Sequence, residues 1–371
     1  MENSIGLRKE KYFHLSSYVA GMNTAQVRSL LNHKASNLGW GTSLTVALGQ
    51  YPVFVKRIPI TDIEYNHLFS TKNLYELPTY FNYGLGSAGL GAFRELVTHL
   101  KTTHWVLEEE IATFPLMYHY RIIPSSGQRT TVDREWLENF VKYWGNSSSV
   151  ENYMVDKAKA DHELVIFLEH IPHVLDAWLL KNPSLFQPPL DDLCKTMAFL
   201  RTKGIIHLDA HFQNVLTDGE QTYLTDFGLV LDRSFDLAKD EEAFFEQTAL
   251  YDYGEILLNL GHLVVSLYDS MAEGDKHSII KKYDIQEGLS PPELRNILLN
   301  NIEQIQADGI LRLNEAYVAS IVKYRSVISL MHHFFADMRQ NPRKDTPFPQ
   351  TRLRSLLEEA MSDSPIMEFR T

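Results

Sequence analysis

The chain has 371 residues, 44% of them hydrophobic and 22% charged, with 19 Phe and 18 Tyr. This excludes global disorder and fibrous repeats, and the length suits one large or two ordinary domains of about 150 residues each. A net charge of -12 with no long Lys/Arg run argues against nucleic acid as a partner, and a lone Cys194 excludes an internal disulfide or a thiolate zinc cluster.

Residues 1–12 are polar and charged, so no secretory signal is expected. The longest apolar stretch, 256–268, falls short of the ~20 residues of a membrane span, so the expectation is a soluble cytoplasmic protein with no membrane partner. Short strands are expected at 44–48 and 53–58, joined by a hairpin connection over 49–52. A Gly- and Tyr-rich stretch, 80–91, leads into a helix starting around 93–101. Residues 115–123 and 163–168 read as two more strands. Between them, 131–143 has helical spacing and 145–149 (Gly-Asn-Ser-Ser-Ser) reads as a loop tip. Beyond 173, apolar residues three and four apart predict helices over 174–181, 190–203, 240–268, 291–306, 313–338 and 351–361, separated by Pro-rich breaks. The composition shift near 172 divides the chain into a strand-rich part, 1–172, and a helical part, 173–371. The expected class is α+β.

The chemistry concentrates at 204–216, Gly-Ile-Ile-His-Leu-Asp-Ala-His-Phe-Gln-Asn-Val-Leu, followed by Tyr-Leu-Thr-Asp-Phe-Gly at 223–228. Asp226 lies twelve residues after Asn214. Phosphoryl transfer needs a carboxylate beside the acceptor hydroxyl, which Asp209 can supply. It also needs hard oxygen ligands for Mg²⁺, and Asn214 and Asp226 offer an amide and a carboxylate.

These motifs resemble the catalytic loop and the metal-binding Asp-Phe-Gly of the protein-kinase-like superfamily. The resemblance implies a bilobal fold, with a small antiparallel-sheet N-lobe over 1–172, insertions at 61–90 and 124–160, and a larger helical C-lobe over 173–371. Upstream, 38–46 (Leu-Gly-Trp-Gly-Thr-Ser-Leu-Thr-Val) is similar to the Gly-rich loop over ATP phosphates through Gly39 and Gly41, with Leu44 in place of the third glycine. Lys56 follows where the family keeps its phosphate-pairing lysine. Its partner is assigned to Glu95, with Glu64 and Glu76 as alternatives; Pro78 argues against a helix continuing from Glu76. By the same resemblance, Glu169 and Ile171 contact adenine through their backbone and Leu216 joins the nucleotide site. Asp252 would hold the catalytic-loop backbone, although by position alone it reads as a helix N-cap.

What the resemblance implies is an ATP- and Mg²⁺-dependent phosphotransferase acting on a hydroxyl-bearing acceptor. An atypical Ser/Thr protein kinase is the first reading. A small-molecule kinase of the aminoglycoside- or choline-kinase type and a nucleotide-binding pseudokinase module are the alternatives. Asp-x-His-x-x-Asn at 209–214 matches the small-molecule branch, and Phe227-Gly228 the protein kinases. Residues 84–91 also contain Gly-x-Gly-x-x-Gly before a helix. The stretch before them makes a poor buried strand, so these glycines read as a turn into the helix of Glu95 rather than a dinucleotide site.

Overall fold

The computed structural model describes residues 4–31, 36–38, 41–125, 132–286, 288–309, 311 and 313–361. It opens with two helices that the sequence reading did not foresee, α1 (Ile5–Ala20) and α2 (Thr24–Leu31). Only Leu15, Val19, Val27 and Leu31 among their apolar residues are buried, too sparse a set to announce itself in a polar segment.

A five-stranded sheet follows, with apolar residues largely alternating in β2 and β3 and running continuously in the inner β5: β1 (Ser36–Leu38), β2 (Gly41–Leu48), β3 (Tyr51–Ile60), β4 (Met117–Pro124) and β5 (His162–Glu169). Its order is β1-β2-β3-β5-β4 and all pairs are antiparallel. The β2–β3 turn places Gly49 at φ 61°, where a side chain would be strained. A short helix, α3 (Asp62–Asn66), follows β3, and α4 (Ala92–Leu107) lies against the sheet. Phe93 and Leu96 of α4 pack on Ile58, Ile60, Met117, Leu164, Ile166 and Leu168. Each such side chain contributes about 1.5–3 kcal/mol when fully buried, and together they fix the height of α4 over β3.

Helices α5 (Arg134–Tyr143) and α6 (Ser148–Ala158) come next. The expected loop tip at 145–149 is in part the start of α6: Ser147 caps it by accepting from Val150 N. Trp144, Val150, Tyr153 and Met154 bury against Leu77, Phe81, Ala88 and Leu90, so the two stretches flanking α4 and β4 share one apolar cluster.

Beyond β5 the chain is mostly helical, with β6 (His173–Val174), α7 (Leu175–Lys181), α8 (Gln187–Thr202) and then β7 (Ile205–Ile206), β8 (Val215–Thr217), β9 (Thr222–Leu224) and β10 (Leu231–Asp232). These short strands form a β6-β8-β9 sheet and a β7–β10 pair. Seven helices follow: α9 (Lys239–Gln247), α10 (Tyr251–Asp269), α11 (Glu273–Lys282), α12 (Pro291–Asn300), α13 (Ile302–Ala307), α14 (Glu315–Gln340) and α15 (Gln350–Met361). The single helix expected over 240–268 is therefore two. The Thr248 hydroxyl donates to Phe244 O at 2.7 Å, and Tyr251 N turns back to Thr248 O at 2.8 Å, restarting the chain as α10. Asn301 divides 291–306 in the same way, its Nδ2 donating to Ile297 O at 2.9 Å. Helix α10 is buried along most of its length, and a Cβ on Gly254 would come within 2.6 Å of Met331 Sδ, so α14 packs closely across it. Among the described residues, no helix is long and apolar enough to cross a membrane.

Candidate active site

The loop between β7 and β8 carries His207, Asp209, His211 and Asn214, and it is held from below by one face of α10. Asp252 accepts from His207 N at 2.7 Å and Leu208 N at 2.9 Å. Glu255 Oε2 accepts from Ala210 N at 2.7 Å, and Asn259 Oδ1 from Phe212 N at 3.2 Å. Asp252 is therefore not the N-cap of its helix, a position that Leu250 occupies. The grip matters because Leu208 sits at φ 63°, a conformation a branched residue adopts only when its surroundings impose it. The roles of Glu255 and Asn259 escaped the sequence reading. Their signal was present as polar residues at 252, 255 and 259, one face of an otherwise apolar helix.

His207 ties this loop to the next. Burial pulls its pKa down to about 4, so it is neutral at pH 7. Its Nδ1 accepts from Asp209 N at 3.3 Å, which leaves Nε2 as the donor to Thr225 O at 3.0 Å. Asp226 follows at φ 63°. Phe227 is fully buried, with its ring 4.8 Å from that of His99 on α4 and 5.4 Å from that of His207.

Lys56 on β3 reaches across to both sides of this assembly. Its Nζ lies 2.6 Å from Glu95 Oε1 and 2.9 Å from Asp226 Oδ1. Glu64 is unavailable, because its Oε2 closes a capping box with Thr61 and its Oε1 accepts from Ala92 N at 2.9 Å, capping α4. Glu76 is exposed, in a turn at φ 50°. Burial pushes the pKa of Asp226 upward, but Lys56 reverses this and holds it at about 2. Lys56 is itself raised above its usual value: burial lowers it, and the two carboxylates overcome that. Burial acts most strongly on Asp209 and raises it to about 6, although His211, 3.5 Å away, pulls the other way; the Asp226 charge adds to the rise, while Asn214 and the more distant Lys56 oppose it. Asn214 Nδ2 donates to both Asp209 Oδ2 at 2.8 Å and Asp209 O at 3.0 Å.

Lys56, Glu95, Asp226, Asp209 and Asn214 thus converge from β3, α4 and two loops. Of the residues expected around a nucleotide, Gly39 lies outside the described residues. Gly41 opens β2, where a Cβ would come within 2.6 Å of Arg57 O on the neighbouring strand. Leu216 is half-buried on β8, and Ile171 half-buried beyond β5. The Glu169 side chain is engaged by Arg8 of α1, whose guanidinium lies 2.8 Å from Oε2 and also donates to Ala112 O and Phe114 O. Nothing in the sequence pairs residue 8 with residue 169, so this contact was missed.

The Gly-rich run 84–91 crosses the front of the site. A Cβ on Gly84 would stand 2.3 Å from Asp209 Oδ1, and one on Gly89 would stand 2.7 Å from Gly228 O. Besides leading into α4, these glycines let the backbone lie directly on Asp209 and on the loop after Asp226. Among the described residues, no group of three or more His, Cys, Asp or Glu stands together as a metal site. A scan against protein-family models finds no match to this chain, and a search of curated proteins finds none either.

Proposed function

We propose that the chain is an ATP-dependent phosphotransferase of the protein-kinase-like superfamily that phosphorylates a hydroxyl on its acceptor. One observation carries this reading: a half-buried lysine bridges a helix carboxylate and a loop carboxylate, beside a second loop whose aspartate is bonded to an asparagine. The strand order β1-β2-β3-β5-β4, with α4 between β3 and β4, supports a bilobal arrangement with the sheet in the N-lobe and α7–α15 in the C-lobe.

ATP supplies the transferable phosphoryl group, and Mg²⁺ neutralises its charge. Lys56, held straight by Glu95, is placed to pair with phosphate oxygens. Asp226 and Asn214 suit a hard cation. The amide nitrogen of Asn214 is engaged by Asp209, which turns its oxygen away, and Asp226 binds Lys56 through only one of its two oxygens. Asp209 would orient the acceptor hydroxyl and take its proton. A small-molecule acceptor is favoured over a polypeptide by the Gly84 backbone, which covers one side of Asp209.

Calorimetric titration of ATP with and without Mg²⁺ tests the roles. Asp226→Asn should abolish the magnesium-dependent tightening of ATP binding. Asp209→Asn should keep that tightening and lose phosphoryl transfer by several orders of magnitude. The reverse pattern would overturn the assignment.

A further inference from the structure

Phe93 and Leu96 turn one face of α4 to the sheet, and a different face carries Arg94 and Lys101, seven residues apart and so one above the other on the helix. Both reach the segment that runs from Asp226 to α9. Arg94 Nη2 lies 2.7 Å from Glu241 Oε1, and both side chains are almost wholly buried. Lys101 Nζ lies 2.6 Å from Asp232 Oδ2, and Asp232 is equally buried.

Each of these carboxylates also shapes its own segment. Asp232 Oδ1 accepts from Ser234 N at 2.8 Å, and Glu241 Oε2 accepts from Ala238 N at 3.0 Å. In both, one oxygen closes a local turn while the other faces a cation on α4. The fold of the segment and its distance from α4 are therefore set by the same two side chains. Further contacts reinforce the clasp. Arg94 Nε donates to Thr71 O at 2.8 Å, Thr71 Oγ1 accepts from Asp236 N at 3.0 Å, and the guanidinium carbon stands 5.4 Å from the centre of the Phe235 ring. Lys101 donates as well to Ser234 Oγ at 2.5 Å. Opening the clasp would leave buried charges without their partners, which makes it a stiff connection.

Glu95 follows Arg94, about 100° further round the helix, and meets Lys56 instead. Asp226, at the start of the clasped segment, holds Lys56 from the other side. The two carboxylates that bracket Lys56 thus belong to the two elements that the clasp joins. We infer that Arg94 and Lys101 are positioning residues, which grip Glu241 and Asp232 and so hold α4 where Glu95 meets Lys56, making the bridge complete in the unmodified, nucleotide-free chain. The placement of Lys56 follows from these contacts alone; its consequence for ATP rests on the phosphotransferase reading.

The test reads Lys56 itself. Burial lowers its pKa, but Asp226 and Glu95 together hold it above the ordinary value, so an intact bridge keeps the amine protonated and slow to react. Nucleotide-free, phosphatase-treated protein is acylated with an N-hydroxysuccinimide ester, and modification is followed by mass spectrometry at Lys56 and at the exposed Lys195. Two variants open the clasp, Arg94→Leu with Glu241→Leu and Lys101→Met with Asp232→Asn. Each removes both charges of one pair, so no buried charge is stranded, and either alone decides the question. In the wild type Lys56 should react about tenfold or more slowly than Lys195. Both variants should speed Lys56 severalfold and leave Lys195 unchanged. Equal rates for the two lysines in the wild type, an unchanged Lys56 rate in a folded variant, or a parallel rise at Lys195 that marks general loosening would overturn the inference. If Lys56 is released in the variants while the wild type shows no magnesium-dependent ATP binding, the positioning role stands and the phosphotransferase reading falls. If the wild type transfers phosphate from ATP while the variants leave Lys56 and MgATP affinity unchanged, the reading stands and this inference falls.

Discussion

Replacing Gly84 by alanine isolates the contact between the Gly-rich run and Asp209. Gly84 is not in the left-handed region, so alanine meets no backbone strain and acts only through its Cβ. That atom would stand 2.3 Å from Asp209 Oδ1 and 3.3 Å from its Cγ, whereas ordinary contact begins near 3.4 Å. One of the two groups must retreat by about an ångström. Gly89 is pressed on Gly228 and Tyr83 is wedged among Phe244, Tyr251 and Phe334, so the run is fixed at both ends. Asp209 therefore moves, and its 2.8 Å bond from Asn214 is broken. A displacement of this size at a reacting group costs on the order of 10²-fold in rate, or about 2.7 kcal/mol in the barrier. Stability should fall by about 1–3 kcal/mol, as for other overpacked positions. Single-turnover transfer from ATP, measured well below the melting transition, should drop about a hundredfold while calorimetric affinity for MgATP is unchanged. Wild-type transfer in a folded Gly84→Ala protein would refute the placement of Gly84 against Asp209 or the catalytic role proposed for that carboxylate.

Lys56→Met should abolish turnover and weaken ATP binding at least tenfold. It should also flatten the acid limb of stability: Asp226, held at about 2 by Lys56, stabilises the wild type above about pH 4, and this is lost as pH falls towards 2, so chemical unfolding across that window should differ between the two proteins. The carboxyl of Asp209, raised to about 6 by burial, should titrate near that pH in ¹³C NMR of the nucleotide-free protein, and a value near 4 would contradict its burial. Arg94→Ala should cost about 3–5 kcal/mol in urea unfolding by leaving Glu241 buried without the guanidinium 2.7 Å away, whereas Arg94→Leu combined with Glu241→Leu should recover most of the loss.

How much of this was legible beforehand depended on the range of each interaction. The strands around Lys56 and the loop residues 207–214 and 223–228 sit in short apolar–polar patterns that one window of sequence contains. Pro78 spoke against Glu76 as the partner of Lys56, but nothing in the sequence separated Glu95 from Glu64, which is ruled out by a capping bond to Ala92 that joins residues 28 apart. Arg8 with Glu169, and Gly84 with Asp209, join residues more than a hundred apart through side chain or backbone contacts that leave no periodicity. The breaks at 248–250 and at Asn301 were missed for another reason. Each comes from a side chain bonding back to its own helix, and apolar spacing runs through such a break unchanged.

Helix α10 both holds the loop that carries Asp209 and forms one wall of a neighbouring cavity. Asp252, Glu255 and Asn259 hold the backbone from His207 to Phe212, and Asn259 and His262 wall the cavity. The same helix is buried from Tyr251 through most of its length and packed on α14 closely enough to exclude a Cβ at Gly254 and to crowd one at Gly261. Its position is therefore set by the core and not by any ligand. The backbone that presents Asp209 is thus referred to one rigid element. The ordering of the loop that carries Asp209 has therefore already occurred on folding, and a ligand meeting that carboxylate would not have to supply it.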